Sequence, residues 1–118
     1  MLVYRIQDLQ GRGPFKPGFS HRWVEDREDH ENLIPWPVQF PHILRNLKYY
    51  KHVACSCETV EQLKRWFNPN EYRRLQIYGY EAVTMQVDQI LGRSDIQCVI
   101  ERRRPLRENV VGFQLYPD

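Results

Sequence analysis

Apolar and polar residues alternate from Leu2 to Gln7. Leu2, Tyr4 and Ile6 fall on one side and Val3, Arg5 and Gln7 on the other, which predicts an opening strand. Gly11-Arg12-Gly13-Pro14-Phe15-Lys16-Pro17-Gly18 breaks the pattern and reads as a loop. Ser20 to Glu28 fits either a short helix or a short strand. Glu25 to Asn32 reads as an acidic, exposed loop. Asn32 to Pro41 sets Pro35, Pro37 and Pro41 around Trp36, Val38 and Phe40. Prolines so closely spaced deny regular hydrogen bonding and predict an extended, well-packed crossing. His42 to Tyr50 reads as one short helix with Ile43, Leu44 and Leu47 on one side. Val53 to Cys57 reads as a short buried strand.

Thr59-Val60-Glu61-Gln62 is a capping box that opens a helix, with Val60, Leu63 and Phe67 on one face. Asn68 and Pro69 stop it and start another, as N-cap and first helical residue. That second helix buries Tyr72 and Leu75 and ends at Gly79. The period then turns strand-like. Tyr80 to Val87 is one strand, Gln89 to Ser94 a turn around Gly92, and Ile96 to Arg102 another strand that Pro105 breaks. Val110 to Tyr116 is a last strand weakened by Gly112. Strands at both ends and helices between them predict an α+β fold. It has a mostly antiparallel sheet and two or three short helices grouped in the middle of the chain. Residues 1–118 read as one domain.

Composition narrows the classes. Among 118 residues, 42% are hydrophobic and 13% aromatic, enough for a core and unlike a disordered or fibrous chain. No apolar run approaches the roughly 20 residues of a membrane helix. Met1 to Arg5 lacks a signal-peptide core, so the expected setting is the cytoplasm, with no membrane partner. The net charge of +2 is not the field of a general nucleic-acid binder. Charge is uneven, however: Glu25 to Glu31 is acidic, and Arg102, Arg103, Arg104 and Arg107 form a basic run.

The chemistry-bearing residues are sparse. Cys55, Cys57 and Cys98 read as reduced, mostly buried thiols. Cys55-x-Cys57 is too tight for a zinc ligand pair, and no two histidines have ligand spacing, so no metal site is expected. His52 and Cys57 lie five apart on a strand and so face opposite sides. The Gly11 to Gly18 loop, with Arg12 and Lys16, reads as a turn with solvated cations, the alternative being an anion cradle. Arg102, Arg103, Arg104 and Arg107 are candidates for binding a partner: nucleic-acid phosphates or an acidic protein. The plain alternative is edge-strand protection. Arg5, midway along the first strand, has the planar fork for phosphate or carboxylate. Gln97 and Glu101 share one strand face and are candidates for a common cleft.

In order along the chain stand Tyr4-Arg5-Ile6, Gly18-Phe19-Ser20-x-Arg22-Trp23, Val53 to Cys57, and Thr59-x-x-Gln62-Leu63-x-x-Trp66-Phe67. Gly79-Tyr80, Gly92 and Gln97-Cys98-Val99-Ile100 follow. This order resembles small phage and prophage proteins and, more loosely, ADP-ribosyltransferase-type domains. The second resemblance implies NAD as cofactor. Arg5 matches the first-strand arginine that holds the dinucleotide, and Ser56 the middle site. Gln97 falls at the late-strand glutamate that polarises the ribose of NAD, with Glu101 further along the strand. A neutral glutamine cannot stabilise an oxocarbenium-like centre, so the departure implies a transferase-like scaffold used for binding. Three functions follow as expectations. The first is a phage-encoded inhibitor of a host or defence complex (anti-CRISPR-like). The second is an NAD-dependent ADP-ribosyltransferase-like enzyme. The third is a nucleic-acid-binding module.

Overall fold

The computed structural model describes residues 1–16 and 18–117. Among these residues, six strands form two three-stranded sheets in which every pairing is antiparallel. The first has β3 (Glu81–Gln86) between β1 (Leu2–Gln7) and the two-residue β6 (Val111–Gly112). The second has β5 (Cys98–Arg102) between β2 (His52–Ser56) and β4 (Gln89–Arg93). Helices α1 (Trp36–Gln39), α2 (Pro41–Arg45), α3 (Val60–Trp66) and α4 (Pro69–Ile77) all lie between β1 and β3 in sequence. The α+β expectation with helices grouped in the middle is met.

Among the described residues, one isolated backbone bridge links the two sheets. Tyr4 and Cys57 exchange both backbone hydrogen bonds at 2.8 Å, so β1 and β2 run side by side where the sheets divide. Val3, Val83 and Met85 from one sheet meet Ala54, Cys98 and Ile100 from the other in one apolar layer. The outer face of β5 presents Val99 to Phe40 and Ile43 of the α1–α2 segment. A larger aromatic cluster, including Trp23, Trp66, Phe67 and Tyr80, packs beneath α3 and α4.

Local chemistry explains the helices. Thr59 accepts from the Gln62 amide, and Gln62 reaches back to the N-cap amide, closing the expected box. Asn68 and Glu71 form a second box at α4, and Pro69 sits at the first helical position. Gly79, just past the C-cap of α4, has φ of 88°, which favours glycine.

Four expectations are corrected. Trp36–Gln39 is a helical turn, not an extended crossing. Pro35 precedes the turn and Pro37 lies within its first two positions, where a missing N–H costs nothing. His42 to Tyr50 is not one helix: α2 begins at Pro41 and stops at Arg45, and a 3₁₀ turn covers Leu47–Tyr49. Of its apolar side chains, Ile43 is buried, while Leu44 and Leu47 are exposed. Gln89–Arg93 is a strand rather than a turn. It pairs with β5 through a register shift between Ile90 and Gly92. A Cβ at Gly92 would lie 2.9 Å from the Phe40 ring, so glycine is needed for close helix–sheet packing. The last strand shrinks to Val111–Gly112, paired with Val83 and Thr84.

Ser20–Arg22 and Glu28–His30 are 3₁₀ turns. The Gly11 to Gly18 segment is irregular where described, and its Pro17 lies outside the described residues. No described helix is long and apolar enough to cross a membrane.

Candidate functional site

A cavity of about 420 Å³ opens beside the Tyr4–Cys57 bridge. Such a volume lies in the common range for small-molecule sites, about 300–1,000 Å³. Its walls are mostly apolar and flat: Pro14 and Phe15 from the first loop, Trp36 from α1, and Trp66 and Phe67 near the end of α3. Phe15 sets its ring edge-on to Trp66 at 5.5 Å and to the underlying Trp23 at 5.1 Å. Trp66 is fixed by its indole N–H, which donates to the Ile96 carbonyl at 2.9 Å.

The polar groups are few and buried. Arg5, Ser56 and Gln97 all line this one cavity, although they come from β1, β2 and the turn before β5. Arg5 Nε donates to Gln7 Oε1 at 2.8 Å, Nη1 to the Cys55 carbonyl at 2.7 Å, and Nη2 to the Gly11 carbonyl at 3.1 Å. Burial pushes its pKa down, and the neighbouring Cys55 and Asp8 oppose that shift. An arginine stays cationic even so. Three of its five N–H groups are engaged with the protein, and one of these bonds joins the two sheets.

Ser56 is 4% exposed, and its hydroxyl has no hydrogen-bond partner among the described residues. A buried hydroxyl left unpaired is costly unless something else satisfies it. Gln97 is 3% exposed. Its amide nitrogen donates to the Ile34 carbonyl at 2.7 Å and to Gln39 Oε1 at 2.8 Å. The residue therefore pins the 34–39 segment, whose Pro35, Trp36 and Pro37 line the cavity, and both its amide N–H groups are engaged.

Glu101 is elsewhere. Its carboxylate accepts from the Lys51 amide at 2.9 Å and from the Gln89 side chain. The shared strand face expected for Gln97 and Glu101 fails because β5 begins at Cys98. Gln97 belongs to a tight turn in which the Ser94 amide donates to its carbonyl at 2.9 Å. Strand alternation does not extend across that turn.

The basic run is split as well. Arg102 is buried and donates to the carbonyls of Gln86, Pro105, Glu108 and Asn109 at 2.6 to 3.1 Å. Burial pushes its pKa down, and Arg104 adds to that. It is a brace for the 105–109 loop, not a surface cation. Arg103, Arg104 and Arg107 are exposed. Among the thiols, Cys57 and Cys98 are buried, and Cys55 is half-buried and lines the cavity.

Two further residues escape a reading of the sequence. His30 lines the cavity, and its Nε2 lies 2.8 Å from Glu71 Oε2. Glu71 is almost fully buried and also accepts from the amides of Asn68 and Glu25, each at 3.0 Å. The Asn68-to-Glu71 spacing is itself a capping-box signal. Nothing near His30 in the chain signals its carboxylate partner. The rest of the Glu25 to Asn32 segment is exposed, as expected.

Fold and cavity together define the class: a small α+β domain whose divided antiparallel sheet opens on an aromatic-walled cavity with buried polar groups. The family model described as Bacteriophage T4 Y00F protein matches residues 1–111, and the chain belongs to that family. It is a small phage protein. No curated protein and no solved structure matches it.

Proposed function

We propose that this phage protein is a ligand-binding domain on an ADP-ribosyltransferase-like scaffold, and that NAD or a part of it occupies the cavity. The observation that carries the reading is the meeting of Arg5, Ser56 and Gln97 on one cavity. They follow the chain order of that family's arginine, middle serine and glutamate. Flat aromatic walls suit a planar ring. The unpaired Ser56 hydroxyl and the Arg5 guanidinium supply complementary polar contacts. Gln97, in the turn just before β5, takes the glutamate's place in that order, and its amide is committed to Ile34 and Gln39, which favours binding over transfer. The test is calorimetric titration with NAD of the wild type and of Ser56→Val. Saturable binding that weakens in the variant is expected; heats equal to dilution in the wild type would remove the reading.

A second reading has the protein bind and modulate a host or defence complex, in the manner of an anti-CRISPR inhibitor. The Arg102 brace favours it, because it holds an exposed loop carrying Arg103, Arg104 and Arg107 in one shape. Reversal of these three charges should release an acidic partner captured from host lysate. Capture that survives the reversal would exclude the loop.

A further inference from the structure

We propose that His30, held by Glu71, is a recognition group of the cavity that accepts a hydrogen bond from an N–H or O–H donor on the bound molecule. The inference rests on the reading of the cavity as a ligand site.

The tautomer follows from the partners. Glu71 is a carboxylate already accepting two backbone N–H groups, from Asn68 and Glu25. A carboxylate can only accept, so the nitrogen 2.8 Å away, His30 Nε2, carries the hydrogen. Of the two neutral tautomers, this bond selects the one with its lone pair on Nδ1. The ring is held on a second side by the edge of Trp23, with centroids 5.8 Å apart. In that tautomer an imidazole fixed at one nitrogen and lining a cavity offers an acceptor at the other.

The other polar groups set the ligand's chemistry. Gln97 has both amide hydrogens engaged, so toward a ligand it can only accept. Ser56 can donate or accept, and Arg5 donates. A ligand satisfying all four carries donors and acceptors together beside a flat ring. A carboxamide or a ribose hydroxyl attached to a heterocycle has that pattern.

The competing role is structural: His30 merely ties its loop to Glu71. Two variants separate the roles. His30→Gln can still donate to Glu71 but has no acceptor at the Nδ1 position. His30→Asn places an amide oxygen near that position but is too short for Glu71. Each is titrated with NAD, nicotinamide and adenosine beside the wild type, and thermal melting checks the fold. Recognition requires His30→Gln to bind about tenfold or more weakly than wild type, with His30→Asn the stronger binder of the two. Equal affinity in His30→Gln and wild type overturns the proposal. If NAD fails while nicotinamide or adenosine binds with the same His30→Gln loss, the proposal stands and the dinucleotide reading falls. No binding of any of the three probes overturns both. Imidazole nitrogen spectra of the wild type give a check free of folding effects: the His30 Nδ1 resonance must move when the bound probe is added, and a fixed resonance contradicts the proposal.

Discussion

The Arg5 guanidinium donates to the Cys55 carbonyl at 2.7 Å, from β1 of one sheet to β2 of the other. The same side chain ties Gln7 and the Gly11 carbonyl, and Gln7 in turn donates to Leu106. A residue at the cavity wall is thus also a fastening of the fold. Arg5→Ala takes the arginine's donors away from three buried or half-buried partners, at about 1 kcal/mol or more each. A loss of roughly 3 kcal/mol in urea unfolding is expected. Wild-type stability in that variant would show the bonds to be dispensable. Loss of ligand binding in Arg5→Ala therefore says little by itself, and Ser56 is the cleaner handle on the cavity.

Arg102 and its neighbours should behave oppositely on substitution. Arg102→Ala removes donors from four carbonyls and frees the 105–109 loop, so a drop of about 2–4 kcal/mol is expected. Arg103→Ala and Arg104→Ala remove exposed side chains and should stay within about 0.5 kcal/mol of wild type. Denaturant midpoints for the three variants decide this. A similar cost for all three would contradict the brace.

The three thiols should label unequally. Burial pushes Cys57 far above the ordinary thiol range and Cys98 up to about 12, so neither presents thiolate near neutral pH. Cys55 is half-buried and reachable through the cavity. A disulfide reagent at neutral pH should titrate one thiol in the native protein and three after denaturation. Prompt modification of Cys98 in the native state would be inconsistent with its burial.

Alkali should weaken the fold. Burial is the main cause that raises Cys98 from 9.0 to about 12 and Tyr72 from 10.0 to about 12. Unfolded, these groups release their protons at the ordinary values, whereas folded they retain them. The unfolded state then binds fewer protons, so stability declines as pH rises through this window, from about 9 to about 12, and the contribution is intact below it. Melting temperatures taken across that range should fall steadily. A flat profile would mean that these groups are not protonated in the folded state as described.

What was legible in the sequence followed local rules. Thr59 to Gln62, Asn68 with Pro69, and the alternation of Leu2 to Gln7 each encode their element within a few residues. The misreadings are tertiary. The prolines at 35, 37 and 41 look like breakers but sit just before or within the first turns of helices. Gly92 looks like a turn residue, yet its bare backbone admits the Phe40 ring beside a strand. Arg5, Ser56 and Gln97 stand far apart in the chain, and their shared cavity depends on how the two sheets divide. Arg102 and Arg103 look alike in sequence; only the fold buries one and exposes the other. His30 needed Glu71, 41 residues away, to acquire any meaning.

Occupation of the cavity by NAD or a fragment of it is tested most directly by a backbone and indole amide NMR titration of the wild type with NAD. Saturable shifts at Ser56, Gln97, Trp36 and Trp66, with Arg103 to Arg107 unmoved, are the expected result. An unchanged spectrum, or shifts confined to the arginine loop, would contradict it.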